Sequence, residues 1–92
     1  MYSINYTNRF KKDLQRYQKR GFDVSLVRTA ISILQRDGKL SVSYRPHKLT
    51  GNYEGKWECH IKPDWLLVWE QNDTELRMLF LYTGTHADLF KK

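Results

Sequence analysis

Only one cysteine, Cys59, occurs in the 92 residues. An intramolecular disulfide is therefore excluded, and the expected location is the reducing cytoplasm. Long apolar runs are missing too. The longest stays near strand length, far short of the roughly 18–20 residues that cross a bilayer. The opening MYSINYTNRFKK has no apolar stretch followed by a small-residue cleavage site, so no secretory signal is expected. Repeats of helical-array length and low-complexity tracts are likewise absent. The length suits one compact domain, 1–92.

Acidic residues are scarce in the first half. Residues 1–48 carry eleven Lys/Arg against Asp13, Asp23 and Asp37, whereas residues 49–92 carry five against seven acidic side chains. The net charge of +6 is thus concentrated at one end, which points to a polyanion or an acidic protein as partner, or to a solvated basic helix.

Tyr2, Ile4 and Tyr6 alternate with polar residues and predict a short strand. Thr7 or Asn8 caps a helix that buries Phe10, Leu14 and Tyr17 and ends at Gly21. Asp23 caps a second helix with the stripe Val27, Ala30, Ile31 and Leu34, stopped by Gly38. Two helices joined by a Gly-containing turn predict an antiparallel hairpin across a sheet. Ser41–Arg45 reads as a short strand that Pro46 confines to an edge. A turn is expected between Gly51 and Gly55. Trp57, Cys59 and Ile61 then alternate with Glu58, His60 and Lys62, and Pro63 interrupts. The apolar run Trp65–Trp69 suits a central strand covered on both faces. After a turn at Gln71–Thr74, the strand Glu75–Tyr82 returns with Leu76, Met78, Phe80 and Tyr82 on one face. Thr85 and Asp88 resemble a capping box that starts a brief helical turn at His86, pinned by Leu89 and Phe90. The expected fold class is α+β: a strand, a two-helix antiparallel hairpin, then an antiparallel β-meander packed on the helices.

The chemistry gathers in His47–Trp65, HKLTGNYEGKWECHIKPDW, which holds two of the three histidines, two tryptophans, Asp64 and three lysines. With His86 added, three imidazoles and a carboxylate stand near strand ends. Imidazoles titrate near pH 6.5, so a pair supplies one base and one acid at neutral pH. Metal-free RNA cleavage needs that pair, plus a cation for the charge developing on phosphate; Arg45, Lys48, Lys56 and Lys62 are candidates. The histidine spacings of thirteen and twenty-six residues match no zinc motif, so neither a metal nor another cofactor is expected. Trp57 and Trp69 read as core residues, and Trp65, beside Asp64, as the better platform for stacking a base.

The run HKLTGNYEGKWECHIKPDWLLVW followed by TGTHADLF resembles the YafQ branch of the RelE-like toxins of bacterial type II toxin–antitoxin modules. The likeness spans essentially the whole chain. It implies an mRNA endoribonuclease acting mostly in the ribosomal A site, neutralised by a cognate antitoxin, with operator DNA contacted only through the antitoxin complex and no membrane partner. The family's acid–base set maps onto His47, His60, Asp64 and His86, with Trp65 and Phe90 in support. The base would be His47 or His60, and the acid His86 or Asp64. Some relatives carry an Arg just before TGTH, where this chain has Tyr82. Lys48, Lys56 or Lys62 would then supply the positive charge, or Tyr82 a hydrogen bond. A different class remains open, a non-catalytic ribosome- or antitoxin-binding module acting as co-repressor.

Overall fold

The computed structural model describes residues 1–51 and 55–90. Strand β1 (Ser3–Tyr6) leads into helix α1 (Asn8–Lys19) and helix α2 (Ser25–Asp37). A 3₁₀ turn (Val42–Tyr44) precedes β2 (His47–Lys48), β3 (Lys56–Lys62), β4 (Trp65–Asn72) and β5 (Arg77–Thr85), and α3 (His86–Phe90) follows. The sheet order is β1-β5-β4-β3-β2. Every pairing is antiparallel except that of β1 with β5, which is parallel, so the meander is extended into a mixed sheet.

Local chemistry accounts for the helix ends. Thr7 Oγ1 accepts from the Phe10 amide and so caps α1. Asp23 Oδ1 accepts from both the amide and the hydroxyl of Ser25 at the start of α2. Gly38 ends α2 at φ 73°, and a Cβ there would lie 2.8 Å from the Tyr2 ring; both facts demand glycine.

The helices run antiparallel across one face. Phe10 packs near Phe80, Asp13 reaches the Thr83 amide and Tyr17 reaches that of Thr85, so α1 follows β5 along its length. α2 returns, with Gln35 bonded to the Tyr2 carbonyl. Between them lie Trp65, Leu67, Trp69, Met78, Phe80 and Cys59, all essentially buried. Leu66 and Val68, equally buried, alternate onto the other face. The Trp65–Trp69 segment is covered on both sides, as its continuous apolarity requires.

Beyond Phe80, β5 has no strand partner on its outer side among the described residues, and α1 supplies substitutes. Thr7 Oγ1 donates to the Leu81 carbonyl at 2.6 Å, Asp13 Oδ2 accepts from the Thr83 amide at 3.2 Å, and Tyr17 Oη accepts from the Thr85 amide at 2.8 Å. Polar side chains thereby satisfy an edge that a helix covers.

Three expectations need correction. Ser41–Arg45 is not a strand: Tyr44 and Arg45 amides close onto the Ser41 and Val42 carbonyls, and Arg45 takes the left-handed region at φ 52°. The edge strand is instead β2, after Pro46. Leu76 lies in the turn, exposed, at φ 53°. Tyr82 does not share the face of Met78 and Phe80. Val68 pairs with Tyr82 but Trp69 pairs with Phe80, leaving Leu81 as a bulge that resets the alternation. The turn expected at Gly51–Gly55 passes through residues 52–54, outside the described residues.

Candidate active site

Register builds the site on the sheet face away from the helices. His47 pairs with Glu58, Glu58 with Val68, and Val68 with Tyr82, so these four form one cross-strand rank. The next rank on the same face holds His60, Leu66 and Gly84. His86 follows directly as the first residue of α3, and Asp64 sits in the β3–β4 turn.

The imidazoles therefore form a row. Ring centroids are 6.5 Å apart for His47 and His60, 6.2 Å for His60 and His86, and 6.2 Å for His86 and Phe90. Asp64 Oδ1 accepts from His86 twice, from Nδ1 at 2.6 Å and from the backbone amide at 3.2 Å. Nδ1 as donor leaves Nε2 directed elsewhere, toward whatever occupies the face. The two hydrogen bonds from His86, side chain first, hold the Asp64 carboxyl below the usual carboxylate range.

His60 is different. Its Nδ1 is buried and has no hydrogen-bond partner among the described residues. Burial of the ring, and next the positive charge of Arg45, hold its pKa below the ordinary imidazole value, against the opposing pull of Glu58. At neutral pH it is the free base. His47 faces two acceptors: Nε2 lies 3.1 Å from Glu58 Oε1 and Nδ1 lies 3.2 Å from the Arg45 carbonyl. Glu58 was not foreseen as a partner of this kind. Its signal was its place on the polar side of the alternation, two residues before His60.

The structure thus brings together His47, His60, Asp64 and His86, with Phe90 against His86. Other expected contacts fall elsewhere. Trp65 is only 2% exposed, stacks on Tyr17 and meets Phe22 edge-on, and its Nε1 donates to Thr83. No base can reach that ring. It belongs to the core because the strand starting at Trp65 turns its odd positions toward the helices. Lys48 alternates away from His47, and its Nζ lies 5.7 Å from the Trp57 ring. Lys56 pairs with Glu70 at 3.7 Å, and four strand residues, about 13 Å, separate it from His60. Lys62 is exposed beyond the irregularity that interrupts β3 after His60. Tyr82 is half-buried in the rank of Glu58, with the Arg9 guanidinium 4.2 Å from its ring centroid.

The same molecule matches known proteins along nearly its whole length. Residues 2–91 fit the family described as "Bacterial toxin of type II toxin-antitoxin system, YafQ". The mRNA interferase toxin YafQ of Escherichia coli (strain K12) is 35% identical over 88 residues, covering 95% of this chain and 94% of that protein. The crystal structure of YafQ from E. coli strain BL21(DE3) superposes with a TM-score of 0.89 at 31% identity, covering 98% of this chain and 99% of the other. The toxin in the crystal structure of the E. coli DinJ–YafQ complex gives 0.88 at 32% identity, with the same coverage. From the whole-length family match, the shared fold and an identity above 30%, the chain belongs to the YafQ family of bacterial type II toxin–antitoxin toxins.

Proposed function

We propose that this toxin is an mRNA endoribonuclease that cuts on the ribosome by metal-free acid–base chemistry. The observation that carries the reading is the pair His60 and His86, 6.2 Å apart on one open face, the first with an Nδ1 that has no partner among the described residues and the second tied to Asp64. A phosphodiester held between the rings has each imidazole within one hydrogen bond. His60, the free base, takes the ribose 2′-hydroxyl proton. The 2′-oxygen attacks the adjacent phosphorus, the bond from phosphorus to the 5′-oxygen breaks, and a 2′,3′-cyclic phosphate remains. His86 protonates the departing 5′-oxygen through Nε2. Each proton transfer contributes on the order of 100- to 10,000-fold.

Asp64 is ionised at neutral pH and so does not serve as the acid; it orients His86. Arg45 supplies positive charge for the phosphate, a part that Lys48 and Lys56 are badly placed to play. Arg9, Lys12, Arg16 and Arg20 line a groove of about 660 Å³ beside α3, a path for further RNA phosphates. A cognate antitoxin neutralises the toxin, as the DinJ–YafQ assembly suggests, and both act in the cytoplasm.

The test is to map mRNA 5′ ends after brief induction, wild type beside His86→Ala. New in-frame ends with the wild type alone are expected. Growth arrest with matching end maps in both would replace cleavage by occlusion of the ribosome.

A further inference from the structure

His86 belongs to a helix of five residues, too short to hold its own orientation. Its visible side-chain tie, to Asp64, joins two groups that are 52% and 68% exposed and is correspondingly weak. Something firmer must set the direction of the imidazole. The groups immediately flanking it converge on one buried hydroxyl.

Tyr17 is fully buried. Its ring is fixed edge-on against Phe22 at 4.6 Å and stacked on Trp65 at 6.1 Å. Its Oη accepts from the amide of Thr85, the residue before His86, at 2.8 Å and donates to the carboxylate of Asp88, two residues after it. Asp88 is held from a second side by Arg20 Nη1 at 2.8 Å, and its amide donates to Thr85 Oγ1 at 3.2 Å. Position 84 completes the enclosure, because a Cβ on Gly84 would come within 2.9 Å of the Tyr17 hydroxyl and 3.1 Å of Leu89. Tyr17 itself lies in the core, stacked on Trp65, and not on the face where the imidazoles meet substrate.

We propose that Tyr17 is a positioning residue for His86. Its hydroxyl clamps the backbone on one side of the imidazole and, through Asp88 and Arg20, the helix on the other. The inference rests on the reading of His86 as the acid. A misplacement on the order of 1 Å can cost 100-fold in rate, so a loosened α3 is felt in catalysis before it is felt in binding.

Tyr17→Phe keeps the ring packing and deletes only the clamp. On mRNA-programmed ribosomes, kcat is expected to fall about tenfold with KM within twofold, the pattern of a lost transition-state contact. Imidazole NMR resonances of His86 are expected to shift and broaden while those of His47 and His60 stay in place. Asp88→Ala, which removes the acceptor of both Tyr17 and Arg20, serves as the second variant, decisive if Tyr17→Phe does not fold, and should reproduce both effects. Cleavage within twofold of wild type, or an unmoved His86 signal, would overturn the proposal. A dead His86→Ala beside a fully active Tyr17→Phe removes this inference alone. A fully active His86→Ala removes the reading beneath it.

Discussion

Replacing Asp64 by alanine separates an orienting carboxylate from a catalytic one, and the geometry sets how large the effect can be. Asp64 Oδ1 holds both the ring and the amide of His86. In a buried site, the loss of such a group would cost several powers of ten. Here the two side chains are 68% and 52% exposed, so water and salt screen the contact and its loss is modest. Single-turnover cleavage of mRNA on stalled ribosomes should therefore slow about fivefold in Asp64→Ala, against 100-fold or more in His86→Ala. The Asp64→Ala deficit should shrink further in high salt as the charge is screened in the wild type. A loss in Asp64→Ala equal to that in His86→Ala would refute the orienting role and make Asp64 a proton carrier. A loss below twofold would refute any role.

His60 should titrate below the ordinary imidazole value of about 6.5, and NMR titration of its ring checks this. A group with a depressed folded pKa adds stability above its unfolded pKa and loses it as pH falls through the folded one. Cleavage limited by His60 should therefore persist below pH 6.5, and a midpoint above 6.5 would contradict its burial beside Arg45. Asp13 is only 3% exposed, accepts from the Thr83 amide and pairs with Arg16 at 2.9 Å. Asp13→Ala strands a buried N–H and should destabilise the protein by about 2–3 kcal/mol. Asp13→Asn, whose amide oxygen still accepts, should cost about half that. Urea unfolding reads both, and equal losses would show that charge rather than the Thr83 bond matters.

Helix stripes and strand alternation were legible because each reports one periodic face, and the apolar run at Trp65–Trp69 announced its double burial. The histidines and Asp64 could be assembled from register alone, since His60 sits on the polar side of β3 and His86 just past β5. What escaped the sequence depended either on a partner distant along the chain or on local backbone closure. Leu81 looks like any apolar strand residue, yet as a bulge it carries Tyr82 to the other face. Ser41–Arg45 has strand-like composition, but short-range amide contacts close it into a 3₁₀ turn. Trp65 was misplaced because adjacency to Asp64 suggested a common direction, although neighbours in an extended chain point oppositely. Asp13 read only as a charge, and Asp88 only as part of a capping box. Both are fixed by groups about seventy residues away.

The parallel pairing of β1 with β5 joins residues 3–6 to residues 77–80. During synthesis the amino-terminal strand must wait, unpaired, until that late segment has left the exit tunnel. His86 emerges later still. A half-made chain therefore lacks both the partner of its first strand and the third imidazole of the row. The mixed sheet and the row of imidazoles are completed together.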